Sequence, residues 1–223
     1  MAAPTLIYCA GKNERFERIA LEAGFLLGAQ LPNTVYHPVW FADQDWRNPD
    51  RAAYMAALAE HRPHMATVLD WEREEQHGEV LDWAEDAAQY VEHVLIVPKV
   101  IGGIARLPRR IGRASVVLAY SVPTRFSGTP VPAWEFYGWP VHLLGGSPHK
   151  QMEIAQYLDV RSVDGNMANK MAHRCLFWRR EKGPKGHWLN LRDVGDGDWG
   201  QDANYEAFRR SCENIAAAWQ ARG

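Results

Sequence analysis

The chain has 223 residues, 47% hydrophobic and 23% charged, with Lys+Arg 25 against Asp+Glu 27 and a formal net charge of −2. That length and apolar share suffice for a full buried core and exclude disordered, collagen-like and coiled-coil classes. With no basic-then-apolar leader, no bilayer-length apolar run and only the widely spaced Cys9, Cys175 and Cys212, the expectation is one soluble, cytoplasmic domain over residues 1–223 without a disulfide framework or membrane contact.

Leu6 to Cys9 reads as a strand, and Phe16, Ile19, Ala20 and Ala23 then share a helical face up to Gly24. Phe25 to Leu27 is a second strand. Val39 to Asp43 is a third, ending on a carboxylate, and Asn48-Pro-Asp50 opens a helix running to about Ala59. Met65 to Asp70 is a fourth strand, again ending on aspartate. The amphipathic helix that follows carries Val80, Leu81, Ala84, Ala87, Ala88 and Val91.

Val94 to Val97 is a fifth strand with Lys99 just beyond it, and Val116 to Tyr120 a sixth with Ser121 and Thr124 at its end. The Pro-, Gly- and aromatic-rich stretch from Ser127 to Trp139 reads as a loop, long enough to act as a lid or substrate wall. Val141 to Leu144, the Gly145-Gly146 turn, Ser147-Pro148, a helix with Met152, Ala155 and Leu158, and then Val160 to Asp164 form a strand, turn, helix and strand. Beyond Asn166 the sequence predicts one helix, a Gly/Asp-rich loop at Gly195 to Gly200 and a terminal helix from about Asn204 to Gln220.

Eight short apolar runs, several separated by helical segments, favour a trimmed (β/α)8 TIM-type barrel over about residues 5–166, with a C-terminal helical extension over about 167–223. Parallel strands place reactive side chains at their C-terminal ends, so Asp43, Asp70 and Asp164 are expected at one mouth with Lys99, Tyr120 and Ser121. Two carboxylates at one site suit glycosidic-bond chemistry: one attacks or stabilises the anomeric carbon while the other moves a proton. Strand-end aspartates also cap following helices, the commoner role for any single one. No cofactor and no metal site is expected: three separated aspartates do not specify a cation, no His pair has zinc-ligand spacing, and His61, His64, His77 and His149 read as surface or packing residues.

Charge is locally uneven. Lys99, Arg106, Arg109, Arg110 and Arg113 have no acidic residue among them, and a second basic stretch holds Lys170, Arg174, Arg179, Arg180, Lys182, Lys185 and Arg192 among Phe177, Trp178 and Trp188. Such clusters either contact nucleic-acid phosphates, with aromatics for stacking, or form an ordinary solvated surface.

Val141-His-Leu-Leu-Gly-Gly-Ser-Pro148, followed by a helix and Asp159-Val-Arg-Ser-Val-Asp164, resembles the seventh and eighth barrel strands of the tRNA-guanine transglycosylases. Phe41-Ala-Asp43 and Val68-Leu-Asp70-Trp-Glu72 are similar to the strands that carry that superfamily's general acid/base and base-recognising aspartates. The Ser-Gly-Gly-Phe continuation, the glycine-rich base strand and the Cys-x-Cys-x-x-Cys zinc subdomain are absent; Gln44-Asp45-Trp46 and Leu118-Ala-Tyr-Ser-Val-Pro123 stand at the first two places. The resemblance is therefore to the short phage and bacterial DNA-guanine transglycosylases.

It implies Asp164 as nucleophile at C1′ of a guanine nucleotide and Asp43 as general acid/base. Asp70, Lys99, Tyr120, Ser121, Gly145 and Gly146 would contact substrate, with Tyr120 or Trp71 stacking on the base. Arg106, Arg109, Arg110, Arg113, Lys170, Arg174, Arg179 and Arg180 would hold phosphates. The partners implied are DNA, flipped or single-stranded at the target, and a free 7-deazaguanine base of the preQ0 or preQ1 type. The residues also leave open an N-glycosidic-bond hydrolase and a non-catalytic nucleic-acid-binding barrel.

Overall fold

The computed structural model describes residues 3–9, 13–124, 128–180, 186–194, 197 and 200–222. Eight parallel strands close into a barrel: β1 (Thr5–Cys9), β2 (Leu26–Gln30), β3 (Phe41–Asp43), β4 (Met65–Thr67), β5 (His93–Ile96), β6 (Ala114–Ser121), β7 (Val141–Leu144) and β8 (Val160–Gly165). Each pairs with its neighbours in sequence order, and β8 returns to β1 through registers such as Ile7 opposite Asp164. Closure pairs all eight strands on both sides, which is how the expected (β/α)8 architecture satisfies its backbone, and the short Arg110–Ile111 strand adds antiparallel to the start of β6.

The period-2 alternation of strands sorts the side chains into two cores. Ile7, Phe41, Met65, Leu95, Val97, Val117 and Ala119 fill the barrel interior. Their neighbours, among them Leu6, Tyr8, Ala42, Ala66, Val94, Ile96, Val116 and Leu118, face outward against the helices. Parity thus also decides which polar strand ends point into the barrel.

The connecting helices are α1 (Glu14–Glu22), α2 (Arg51–His61), α3 (His77–Ala87) and α4 (Pro148–Ile154). Asn13 caps α1 by accepting from the Arg15 and Phe16 amides, and Asp50 caps α2 by accepting from Ala53. Among the described residues no α-helix joins β2 to β3, β5 to β6 or β6 to β7; the latter two connections carry the 3-10 turns Ile104–Arg106 and Ala133–Phe136. The Ser127 to Trp139 loop thus folds partly, with Phe136 packed edge-on to Tyr120 at 5.0 Å, while Ser127 itself lies outside the described residues.

The extension differs from the expectation. After α5 (Met167–Ala172) an antiparallel hairpin, β9 (Leu176–Arg180) and β10 (Gly186–Asn190), precedes α6 (Ala203–Gln220). β9 carries no period-2 alternation that sequence reading could catch: the adjacent Phe177 and Trp178 are both buried, and the adjacent Arg179 and Arg180 are both exposed. α6 packs along β9 and sets Phe208 against Tyr8 of β1 (4.9 Å) and Phe16 of α1 (5.0 Å). Lys182, Lys185 and most of the Gly195 to Gly200 loop lie outside the described residues. No described helix is long and apolar enough to cross a membrane.

Candidate functional site

The C-terminal ends of β1, β3 and β8 bring Cys9, Asp43 and Asp164 to one open cleft of ≈ 720 Å³, walled by Asp45 and Trp46 from the loop after β3 and by Lys170 of α5. Inward parity places the two carboxylates there: Asp43 is two residues beyond the interior Phe41, and Asp164 two residues beyond Ser162.

Asp43 accepts a hydrogen bond from Thr67 Oγ1 at 2.8 Å, and the same hydroxyl oxygen accepts from the Gln44 amide at 3.0 Å. The Tyr54 hydroxyl lies 3.2 Å from the Ala42 carbonyl and 2.9 Å from that of Thr67, tying the ends of β3 and β4 together from beneath. Burial pushes the Asp43 carboxyl up to about 7; the Thr67 hydrogen bond opposes this and the charge of Asp164 adds to it. At neutral pH Asp43 is therefore poised between acid and base.

Asp164 is held differently. Its Oδ1 accepts from the Gly145 amide at 2.8 Å and lies 3.2 Å from His142 Nε2. His142 is completely buried in the barrel, and its Nδ1 is 2.8 Å from Ser162 Oγ. An ionised carboxylate only accepts, so a neutral His142 beside it carries its proton on Nε2 and accepts the Ser162 hydroxyl at Nδ1. Gly145 and Gly146 sit at φ +68° and +88°, a region costly for residues with a Cβ. The turn so formed aims the Gly145 amide at Asp164, and Gln151 of α4 secures it by donating to the Gly145 carbonyl (2.7 Å) and the Asp164 carbonyl (2.6 Å).

Burial, with Asp164 and Asp43 nearby, raises the Cys9 thiol well above the ordinary range, so it stays protonated. Cys9, Thr67 and His142 escaped sequence reasoning. Parity holds the one available signal for His142: a histidine between Val141 and Leu143 in a strand reads as inward-facing only once those valine and leucine side chains are placed outside.

Asp70 lies three residues past the end of β4, just before the isolated parallel bridge between Trp71 and Pro98. Its Oδ2 pairs with Lys99 Nζ at 2.7 Å, Lys99 also reaches Glu72 at 2.8 Å, and the Asp70 and Lys99 side chains are 17% and 18% exposed. Burial raises the Asp70 carboxyl while Lys99 draws it back. Ser121 faces inward at the end of β6, opposite Leu144.

Other expected site residues are elsewhere. Tyr120 points outward, one residue out of phase with Ser121, so it belongs to the outer core rather than the mouth. Trp71 is fully buried beneath Gly103 and Arg106 and cannot stack on a ligand. The first basic run is not one patch. It crosses from the mouth, where Arg106 pairs with Glu74, past Arg109, which lies over Trp139 at 3.5 Å, to the opposite end of the barrel, where Arg110 and Arg113 line a second cleft. A parallel connection must return from the end of one strand to the start of the next, so a continuous run of sequence spans both ends. Lys170 stands at the mouth, while Arg174, Arg179 and Arg180 are exposed after α5 and on β9.

The model of a protein family described as "Family of unknown function (DUF6610)" matches residues 20–220. No curated protein matches the chain. Among solved structures, phosphoribosyl anthranilate isomerase from Thermococcus kodakaraensis is similar at 14% identity and a TM-score of 0.45, over 74% of this chain and 89% of that one.

Proposed function

We propose that this chain, which belongs to the DUF6610 family of unknown function, is a base-exchanging glycosyltransferase that replaces guanine in DNA with a 7-deazaguanine base. The observation that carries the reading is the pairing, in one cleft, of a carboxyl raised to about 7 with a carboxylate fixed through a single oxygen. Two carboxyl groups whose environments differ in this way take different roles, one as acid/base and one as nucleophile.

In the forward half-reaction an Asp164 oxygen forms a bond to C1′ as the bond from C1′ to the guanine nitrogen breaks. Asp43 donates its proton to the departing base, whose electron pair it neutralises. In the second half the incoming base nitrogen attacks C1′, Asp164 leaves with its electron pair, and Asp43 takes back the proton. Atoms and charges balance with no other reactant. Asp70 would accept hydrogen bonds from the base, and Lys99 would hold it ionised. Trp46, 54% exposed on the cleft wall, supplies an aromatic face for an unstacked base, and Lys170 a phosphate contact.

The test is mass spectrometry of nucleosides from DNA incubated with the protein and preQ0 or preQ1. The 2′-deoxynucleoside of the 7-deazaguanine base appearing with wild type and vanishing with Asp164→Asn is expected. Full incorporation by Asp164→Asn would sink the mechanism. Free guanine released without incorporation would instead mark a hydrolase, and DNA binding without turnover a non-catalytic barrel.

A further inference from the structure

The opposite end of the barrel holds a second group of ligating side chains. His64, just before β4, and Glu92 and His93, at the start of β5, each offer a ligand atom, and these atoms all lie within 4.8 Å of one another. His64 Nδ1 and Glu92 Oε2 are 3.5 Å apart. We propose that His64, Glu92 and His93 form a zinc site at the N-terminal end of the barrel, with its fourth position open to the adjoining cleft.

Three observations support it. First, the frame is rigid: the Glu92 and His93 amides both donate to the His64 carbonyl, at 3.0 and 3.2 Å, so the three residues are locked together by the sheet. Second, the rings are oriented. His64 stacks on Trp40 at 4.6 Å and 23°, and His93 meets His64 edge-on at 4.9 Å. Third, Nδ1 of His93 is buried with no hydrogen-bond partner, an unusual state for a polar atom unless something else engages the ring.

Geometry and donor chemistry agree on the metal. Two imidazoles and a carboxylate are a zinc set with one open position, and bonds of about 2.0–2.2 Å hold tetrahedral donors about 3.3–3.6 Å apart. The 3.5 Å pair already has that spacing, and the three donor atoms, all within 4.8 Å of one another, need only a small contraction about the ion, with the Glu92 side chain 76% exposed and able to turn toward it. The adjoining cleft, ≈ 680 Å³, is lined by Arg62, Arg110 and Arg113. These guanidiniums favour water, hydroxide or a small anion at the fourth position. This assigns a ligand role to His64, which the sequence suggested was a surface or packing residue, and a place to the arginines that do not reach the mouth.

The experiment is calorimetric titration of chelator-stripped full-length protein with Zn²⁺, together with the visible spectrum of the Co²⁺ form. One equivalent should bind, with a tetrahedral Co²⁺ spectrum. His93→Ala and Glu92→Ala should each weaken binding by about 100-fold or more, as loss of a ligand exceeds the 10–100-fold typical of outer-shell changes. Glu92→Ala alters an exposed side chain and keeps the fold, so it decides the matter even if His93→Ala is unstable. Asp43→Asn and Asp164→Asn should bind Zn²⁺ as wild type does. Absence of binding, undiminished binding in Glu92→Ala, or loss in the mouth variants would overturn the proposal.

Discussion

The Gly145 amide and His142 converge on a single oxygen of Asp164, at 2.8 and 3.2 Å. One oxygen is thereby occupied by donors, which restrains rotation of the carboxylate about its Cβ–Cγ bond. In Asp164→Asn the amide oxygen can still accept from Gly145, so the turn is retained while the nucleophile is lost. Base exchange should fall by about a thousandfold or more while the thermal midpoint stays within a few degrees of wild type, as activity assay and circular dichroism would record. Exchange at the wild-type rate would contradict the assignment.

Positioning can be separated from chemistry at His142. His142→Gln retains a donor inside the barrel but cannot span both Ser162 and Asp164. A lower kcat with little change in KM for the incoming base is expected, since the bound base does not touch this buried ring. A wild-type kcat would show that the Gly145 amide alone holds the nucleophile.

The pH dependence follows from Asp43, whose carboxyl burial raises to about 7. As the acid it must be protonated, so the rate of base departure should decline by about tenfold per pH unit above that value. The stability effect has a definite sign. Below about pH 4 both folded and unfolded states are protonated; between there and about 7 the folded state holds the extra proton, so stability decreases with rising pH until the carboxyl ionises in both. Asp43→Asn should flatten that decline and leave stability at pH 3 unchanged, measured by urea unfolding at several pH values.

Thr67 tunes the same group, because its hydroxyl donates to Asp43 and so favours the ionised form. Thr67→Val should move the alkaline limb of the rate profile to higher pH. It should also destabilise the protein by about 1–3 kcal/mol, since the Gln44 amide loses its acceptor in a buried place. A limb that moves to lower pH would refute the role.

Nucleic-acid contacts should divide by barrel end. Lys170 lies on the wall of the cleft holding Asp43 and Asp164, whereas Arg110 and Arg113 line the cleft at the other end. Lys170→Ala should weaken binding of a single-stranded oligonucleotide and lower the slope of log affinity against log salt by about one. Arg110→Ala and Arg113→Ala should leave both unchanged, as fluorescence anisotropy at several salt concentrations would report.

The sequence by itself determined the barrel and two of its mouth residues. Alternating apolar runs and helical faces set the order of elements, and Asp43 and Asp164, as the last residues or nearly so of short apolar runs, had to emerge at strand ends whatever the details of packing. Tertiary structure decided the rest, because it depends on phase and on which end of the barrel a segment reaches. One residue of phase sends Tyr120 to the outer core and Ser121 inside, and carries His142 to the oxygen of an aspartate 22 positions away. The basic run that looks continuous in sequence is divided between the two ends because a parallel crossover must travel the length of the barrel, and the same return brings His64 beside Glu92 and His93. Spacing along the chain cannot register either effect, since both are set by strand pairing between residues far apart in sequence.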